Sequence, residues 1–152
     1  MPLTLNIGVI DVPYSTPPAA AGKEAKPNSA TTGDVAGWLE GKYHQFTHFY
    51  EYNRERVAQH VAESLAGALE SAAMGAPAGG SPFAAAESAI DAEFRTFLTQ
   101  DVMATLGYPG VPTKAALDGV NHRLKAKKGA PRPSFVDTGT MLASQKNWFE
   151  QS

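Results

Sequence analysis

Between Asp34 and Met74 an uninterrupted stripe runs at helical spacing, and it limits the fold more than any other feature of the chain. Leu39, Tyr43, Phe46, Tyr50, Asn53, Val57, Val61, Leu65, Ala68 and Leu69 recur mostly three or four residues apart. That spacing returns side chains to one face of an α-helix. Asp34 is placed to cap the start, and Gly75 followed by Pro77 ends the run. Gly37, Gly41 and Gly67 lower the local helix propensity and leave room for a break near the start. Trp38, Phe49 and Tyr52 fall off the stripe, so the helix carries more aromatic surface than one face needs. Such a surplus calls for a second partner.

A second long helix is expected from Ser81-Pro82, with Ser as cap and Pro at the first helical position. Its face is Ile90, Phe94, Phe97, Leu98 and Val102, and it ends near Gly107. After the turn Tyr108-Pro109-Gly110-Val111-Pro112, Thr113 caps a short third helix with Ala116, Leu117, Val120 and Leu124 inward.

The N-terminus follows a different period. Leu3, Leu5, Ile7 and Val9 alternate with Thr4, Asn6 and Gly8, the pattern of a half-buried strand. A single strand leaves its backbone groups unpaired, so another strand must meet it. From Pro13 to Gly33 the chain is mostly Pro, Ala, Gly, Ser, Thr and Lys. Such a stretch buries too little apolar area to offset its ordering entropy, which predicts an extended arm reaching a neighbour. The chain therefore divides into residues 1–33, a strand and arm, and residues 34–152, a helical core. The fold class is α+β and helix-dominated, and no internal repeat is visible.

The last segment, Arg132-Pro133-Ser134-Phe135-Val136-Asp137-Thr138-Gly139-Thr140-Met141-Leu142-Ala143-Ser144, runs from a β-prone step through an Asp-Thr-Gly turn into helical spacing. Asp and Thr suit a helix start, and Gly suits a change of direction. Seven-residue steps from Met141 to Trp148 and from Leu142 to Phe149 would place all four on one side of a terminal helix. The order of Pro, apolar pair, Asp137-Thr138-Gly139, an apolar residue and then Ser144 resembles the signature of tailed-phage neck and tail-completion proteins. Met141 stands at that family's usual Leu and Leu142 at its usual Arg, and the family fold continues past the motif into β-strands. The resemblance covers about a twelfth of the chain. It implies a virion protein at the head–tail joint, made in the host cytoplasm and working by assembly with copies of itself and neighbouring virion proteins. The assembly residues would be Leu3, Leu5, Ile7, Val9, Asp137, Thr138, Gly139, Met141, Leu142, Trp148 and Phe149.

Charge and composition narrow the alternatives. A net charge of −2 over 152 residues gives no global attraction to nucleic acid or anionic membrane. The chain has 0 cysteines, so it carries neither disulfides nor thiolate metal sites. No apolar run approaches a membrane span, and the N-terminus lacks the order of a signal peptide. Arg123, Lys125, Lys127, Lys128 and Arg132 form a cationic run without an acid. It either contacts DNA phosphates, as a channel lining would, or places positive charge at a helix C-terminus. A non-virion adaptor or nucleic-acid-associated protein using this segment is the alternative function.

Enzyme chemistry has two footholds. His44 and His48, four apart on a helix, have the spacing of a metal-chelating pair and would serve a metal-dependent hydrolase. The zinc-protease pattern places Glu directly after the first His, however, and here that residue is Gln45. Asp137-Thr138-Gly139 also matches an aspartic-protease half-site, but one copy in a helix-rich chain needs a second from a partner. The expectation is a non-enzyme with no cofactor.

Overall fold

The computed structural model describes residues 3–14, 30–77, 80–120, 128–136 and 139–151. In order they form β1 (Leu3–Val9), α1 (Thr32–Tyr43), α2 (Gln45–Ala73), α3 (Ala84–Thr99), α4 (Val102–Thr105), α5 (Lys114–Leu117), α6 (Thr140–Ser144) and β2 (Gln145–Gln151). The fold is α+β and helix-dominated. Its small antiparallel sheet joins the two ends of the chain, with Leu3 opposite Gln151 and Val9 opposite Gln145.

The long sequence stripe is split. His44 takes a left-handed conformation with φ 52° and separates α1 from α2. No side chain at the junction caps α2. Instead the Glu40 carboxylate reaches over from α1 and accepts hydrogen bonds from the Phe46 and Thr47 N–H groups at 2.7 and 3.3 Å. A second cap also comes from a neighbour. Ser64 of α2 accepts from the Ala86 N–H in the first turn of α3 and donates to the Pro82 carbonyl. The expected Ser81 cap only turns the chain back on Phe83, and α3 starts at Ala84. The start of α1 is capped by Thr31 rather than Asp34. Asp34 closes the reciprocal capping box from its third position.

The core lies where α2 and α3 cross. Phe49, Phe94, Ile90 and Leu98 are fully buried, with Phe97 and Val57 close behind. Phe49 meets Phe94 and Phe97 edge-on at centroid distances of 4.9 and 5.6 Å. Phe49 was expected off the stripe, whereas Tyr50, Leu65 and Leu69 on it are exposed. The core face of α2 is thus rotated from the sequence stripe, to Phe49, Asn53 and Val57. The predicted α3 face holds for Ile90, Phe94, Phe97 and Leu98. That helix ends at Thr99, where Asp101 turns left-handed, and Met103 takes the inward position expected of Val102. Thr113 caps α5 as expected, yet α5 is one turn long and leaves Leu117 exposed.

The C-terminus departs most from expectation. The helix after Gly139 stops at Ser144, and the chain continues as a strand. Trp148 and Phe149 therefore point to opposite faces instead of one. The N-terminal strand, expected to need a partner strand, finds it in this strand of its own chain. The predicted arm also leaves and returns at one place. Thr32 donates to the Ile10 carbonyl and accepts from the Val12 N–H, and Gly33 donates to Asp11. Residues 15–29 of that arm lie outside the described residues.

Candidate functional site

The sheet has two different outer edges. Ile10 N–H donates to the Ser144 carbonyl, which continues the ladder and fixes which pairs exchange hydrogen bonds. Alternation then turns the N–H and C=O groups of Leu3, Leu5 and Ile7 away from β2, and those of Asn147 and Phe149 away from β1. On the β2 side α3 lies alongside, and Glu87 accepts from the Phe149 N–H at 3.3 Å. On the β1 side no hydrogen bond meets Leu3, Leu5 or Ile7 among the described residues.

Beside that open edge lies a groove of about 650 Å³, floored by α2 through Phe46, Tyr50, Val57 and Val61. Its other wall is Leu3, Leu5 and Ile7 of β1, with Phe149 from the far end of the chain. The apolar stripe of the sequence runs along this face of α2. Tyr50 is 45%, Leu65 37% and Leu69 71% exposed. Beyond Ser64, where α3 begins, α2 continues for more than two turns with most of its residues exposed. Arg54 is the only charged side chain lining the groove, and no ion pair engages it among the described residues.

Beneath the sheet is a buried polar knot that the sequence did not signal. Asn147 and Gln145, almost without solvent exposure, both donate to Asp91 Oδ1 at 2.7 and 3.2 Å. Burial pushes the Asp91 carboxyl above its ordinary pKa, against the nearby charges of Arg95 and Lys146. The amide oxygens of Gln145 and Asn147 have no hydrogen-bond partner. With the Phe83–Phe149 stack at 4.6 Å, this knot fastens β2 to α3.

The remaining predicted residues fall in several places. Leu5, Ile7 and Val9 pack on the core, and Leu3 is exposed. Met141 is buried and Leu142 half-buried, while Trp148 sits on the outer face of the sheet against Gly8. Gly139, at φ 78°, starts α6, and Asp137 and Thr138 lie outside the described residues. The start of the signature is anchored, since Ser134 donates to Asp101 and accepts from Thr113 N–H. A cavity of about 170 Å³ beside it, between Leu39, Phe135 and Met141, is below the size that holds a typical ligand.

Of the cationic run, Arg123, Lys125 and Lys127 lie outside the described residues, and Lys128 is exposed. Arg132 does not face outward for DNA. Its guanidinium donates to the carbonyls of Val136 and Val120 at 2.9 and 3.1 Å, tying two loops together. The histidines are similarly occupied. His44 forms the left-handed break, and His48 stacks on Tyr108 at 3.8 Å with Nδ1 3.3 Å from Glu51. Among the described residues no group of three or more His, Cys, Asp or Glu is placed to hold a metal. Among the described residues no helix is long and apolar enough to cross a membrane.

These features define a two-layer α+β unit whose most developed surface is an apolar groove beside an open strand edge. The chain matches no protein-family model, no curated protein and no solved structure.

Proposed function

We propose that this protein is a structural component of a tailed-phage virion, at the neck, the tail terminus or another tail interface, acting through oligomeric assembly. The observation that carries the assembly half is the apolar groove between α2 and β1, with Tyr50, Leu65 and Leu69 exposed along the same helix and a strand edge that is unpaired among the described residues. Exposed apolar surface beside a groove marks a place where another molecule docks. The virion half rests on the resemblance of residues 132–144 to the neck signature. A strand directly after the motif also accords with what that resemblance implies.

The partners are then other copies in a ring and neighbouring virion proteins. The protein would be made in the host cytoplasm and end in the particle, with no catalytic role or cofactor. Nothing in the described residues favours DNA binding, because Arg132 is engaged in loop closure. Native mass spectrometry and electron microscopy of the purified protein test assembly, and protein analysis of purified particles tests location. Rings, and the chain within particles, are expected. A chain that stays monomeric at high concentration and is absent from particles would refute the proposal.

A further inference from the structure

The groove beside β1 combines two recognition chemistries. Leu3, Leu5 and Ile7 offer a row of backbone donors and acceptors that no described residue pairs with, and that another extended backbone satisfies in register. Directly beneath, Phe46, Tyr50 and Val61 offer apolar contact to side chains on one face of such a strand. Arg54 adds a positive charge that no ion pair engages among the described residues. The upper end is closed, because Thr32 bonds the backbone at Ile10 and Val12, so the open length runs over residues 3–7.

We infer that this groove takes an extended segment of another polypeptide, added as a third strand on β1, with apolar side chains toward α2 and an acidic side chain opposite Arg54. The inference deepens the assembly proposal, on which it rests for the existence of a partner, and it names the chemistry of the contact. A bare apolar groove would accept a helix equally well. The open backbone edge selects a strand, and the lone arginine selects an acid. The incoming strand also turns a two-stranded sheet, marginal by itself, into a three-stranded one.

The probe is a synthetic capped octapeptide, Lys-Thr-Val-Thr-Glu-Thr-Val-Lys, whose Val, Glu and Val share one face. Binding to the full chain is measured by calorimetry and by amide exchange. Binding with slowed exchange at Leu3, Leu5 and Ile7 is expected. N-methylating the peptide amides that face β1 should weaken binding by roughly tenfold per blocked hydrogen bond. Arg54→Glu should weaken it about three- to tenfold and restore it for the peptide with Lys in place of Glu. The charge swap keeps the test meaningful, since a misfolded variant would bind neither peptide.

Equal binding of the N-methylated peptide would overturn the inference. So would dimerisation through β1 that excludes the peptide, or failure to bind because the protein's own residues fill the groove. Rings that form normally with Arg54→Glu, while the Leu5 and Ile7 amides still exchange freely, would overturn this contact and leave the assembly proposal standing. A monomer absent from particles that binds the peptide as described would refute the virion reading and support the contact.

Discussion

Replacing Phe49 and Phe46 separately by Ala distinguishes the two faces of α2. Phe49 is fully buried and meets two other rings edge-on. Its loss forfeits a transfer contribution of about 1.5–3 kcal/mol. The two aromatic contacts add roughly 0.5–1.5 kcal/mol each. The total agrees with the ~3–5 kcal/mol usual for truncating a buried Phe. Phe46 is half-buried in the groove and stacks on Phe94 alone, at 5.1 Å. Half the transfer contribution and one ring contact give about 1–3 kcal/mol. Urea unfolding followed by far-UV circular dichroism reads both, provided the slope stays constant. Assembly should show the reverse order: Phe46→Ala folds but assembles poorly, whereas a refolded Phe49→Ala population assembles normally. A Phe46→Ala variant at least as destabilised as Phe49→Ala would refute this division of faces.

Three further outcomes follow from local geometry. Acidification should act oppositely on the two described carboxylates with shifted pKa. Asp11, held below 3.8 by hydrogen bonds from Thr31 and Gly33, contributes stability that is lost as pH falls through its folded value. Asp91, raised above 3.8 by burial, costs stability only once it ionises, so its cost fades as pH falls from its raised value toward 3.8. Asp91→Asn should therefore flatten the pH dependence of the melting temperature in that interval, and an unchanged slope would contradict the assignment. Gly119→Ala should lower the melting temperature severely, because φ is +62° and a Cβ would collide with the Gly129 backbone; a wild-type melt would count against this close approach. Glu40→Ala removes the cap of α2 and should cost about 0.5–2 kcal/mol, with amide exchange rising first at Phe46 and Thr47.

Where one helix face alone was apolar, the sequence was enough. Ile90, Phe94, Phe97 and Leu98 needed only their spacing to be assigned to the core. On α2 two adjacent faces are apolar and share Asn53 and Val57, so periodicity could not decide which one is buried. Of the stripe that it selected, Asn53 and Val57 are buried, and Tyr50, Leu65 and Leu69 are left open. β2 was missed for a related reason. Its inward residues include Gln145 and Asn147, and its outward face carries Trp148, the reverse of the usual strand signature. Two buried amides become tolerable only when Asp91 arrives from another element. The caps supplied by Glu40 and Ser64 are equally invisible, since each lies outside the helix that it serves. For the candidate site, the surplus aromatics Trp38, Phe49 and Tyr52 were no guide, since none lines the groove, and the open edge was legible only as a strand without a partner.

The pairing of Asn6 with Glu150, 144 positions apart, sets a time order on synthesis. At about 5–20 residues per second, β1 waits on the order of ten seconds before β2 emerges to meet it. The helices have their own local contacts and need not wait. The groove is different: one wall is Leu3 and Leu5, and Phe149 closes it from the other end of the sequence. A chain broken off before β2 would fold its helices and still lack the finished groove. If the proposed strand docking holds, the groove would double as a completeness check, open to a partner only on chains translated through Phe149.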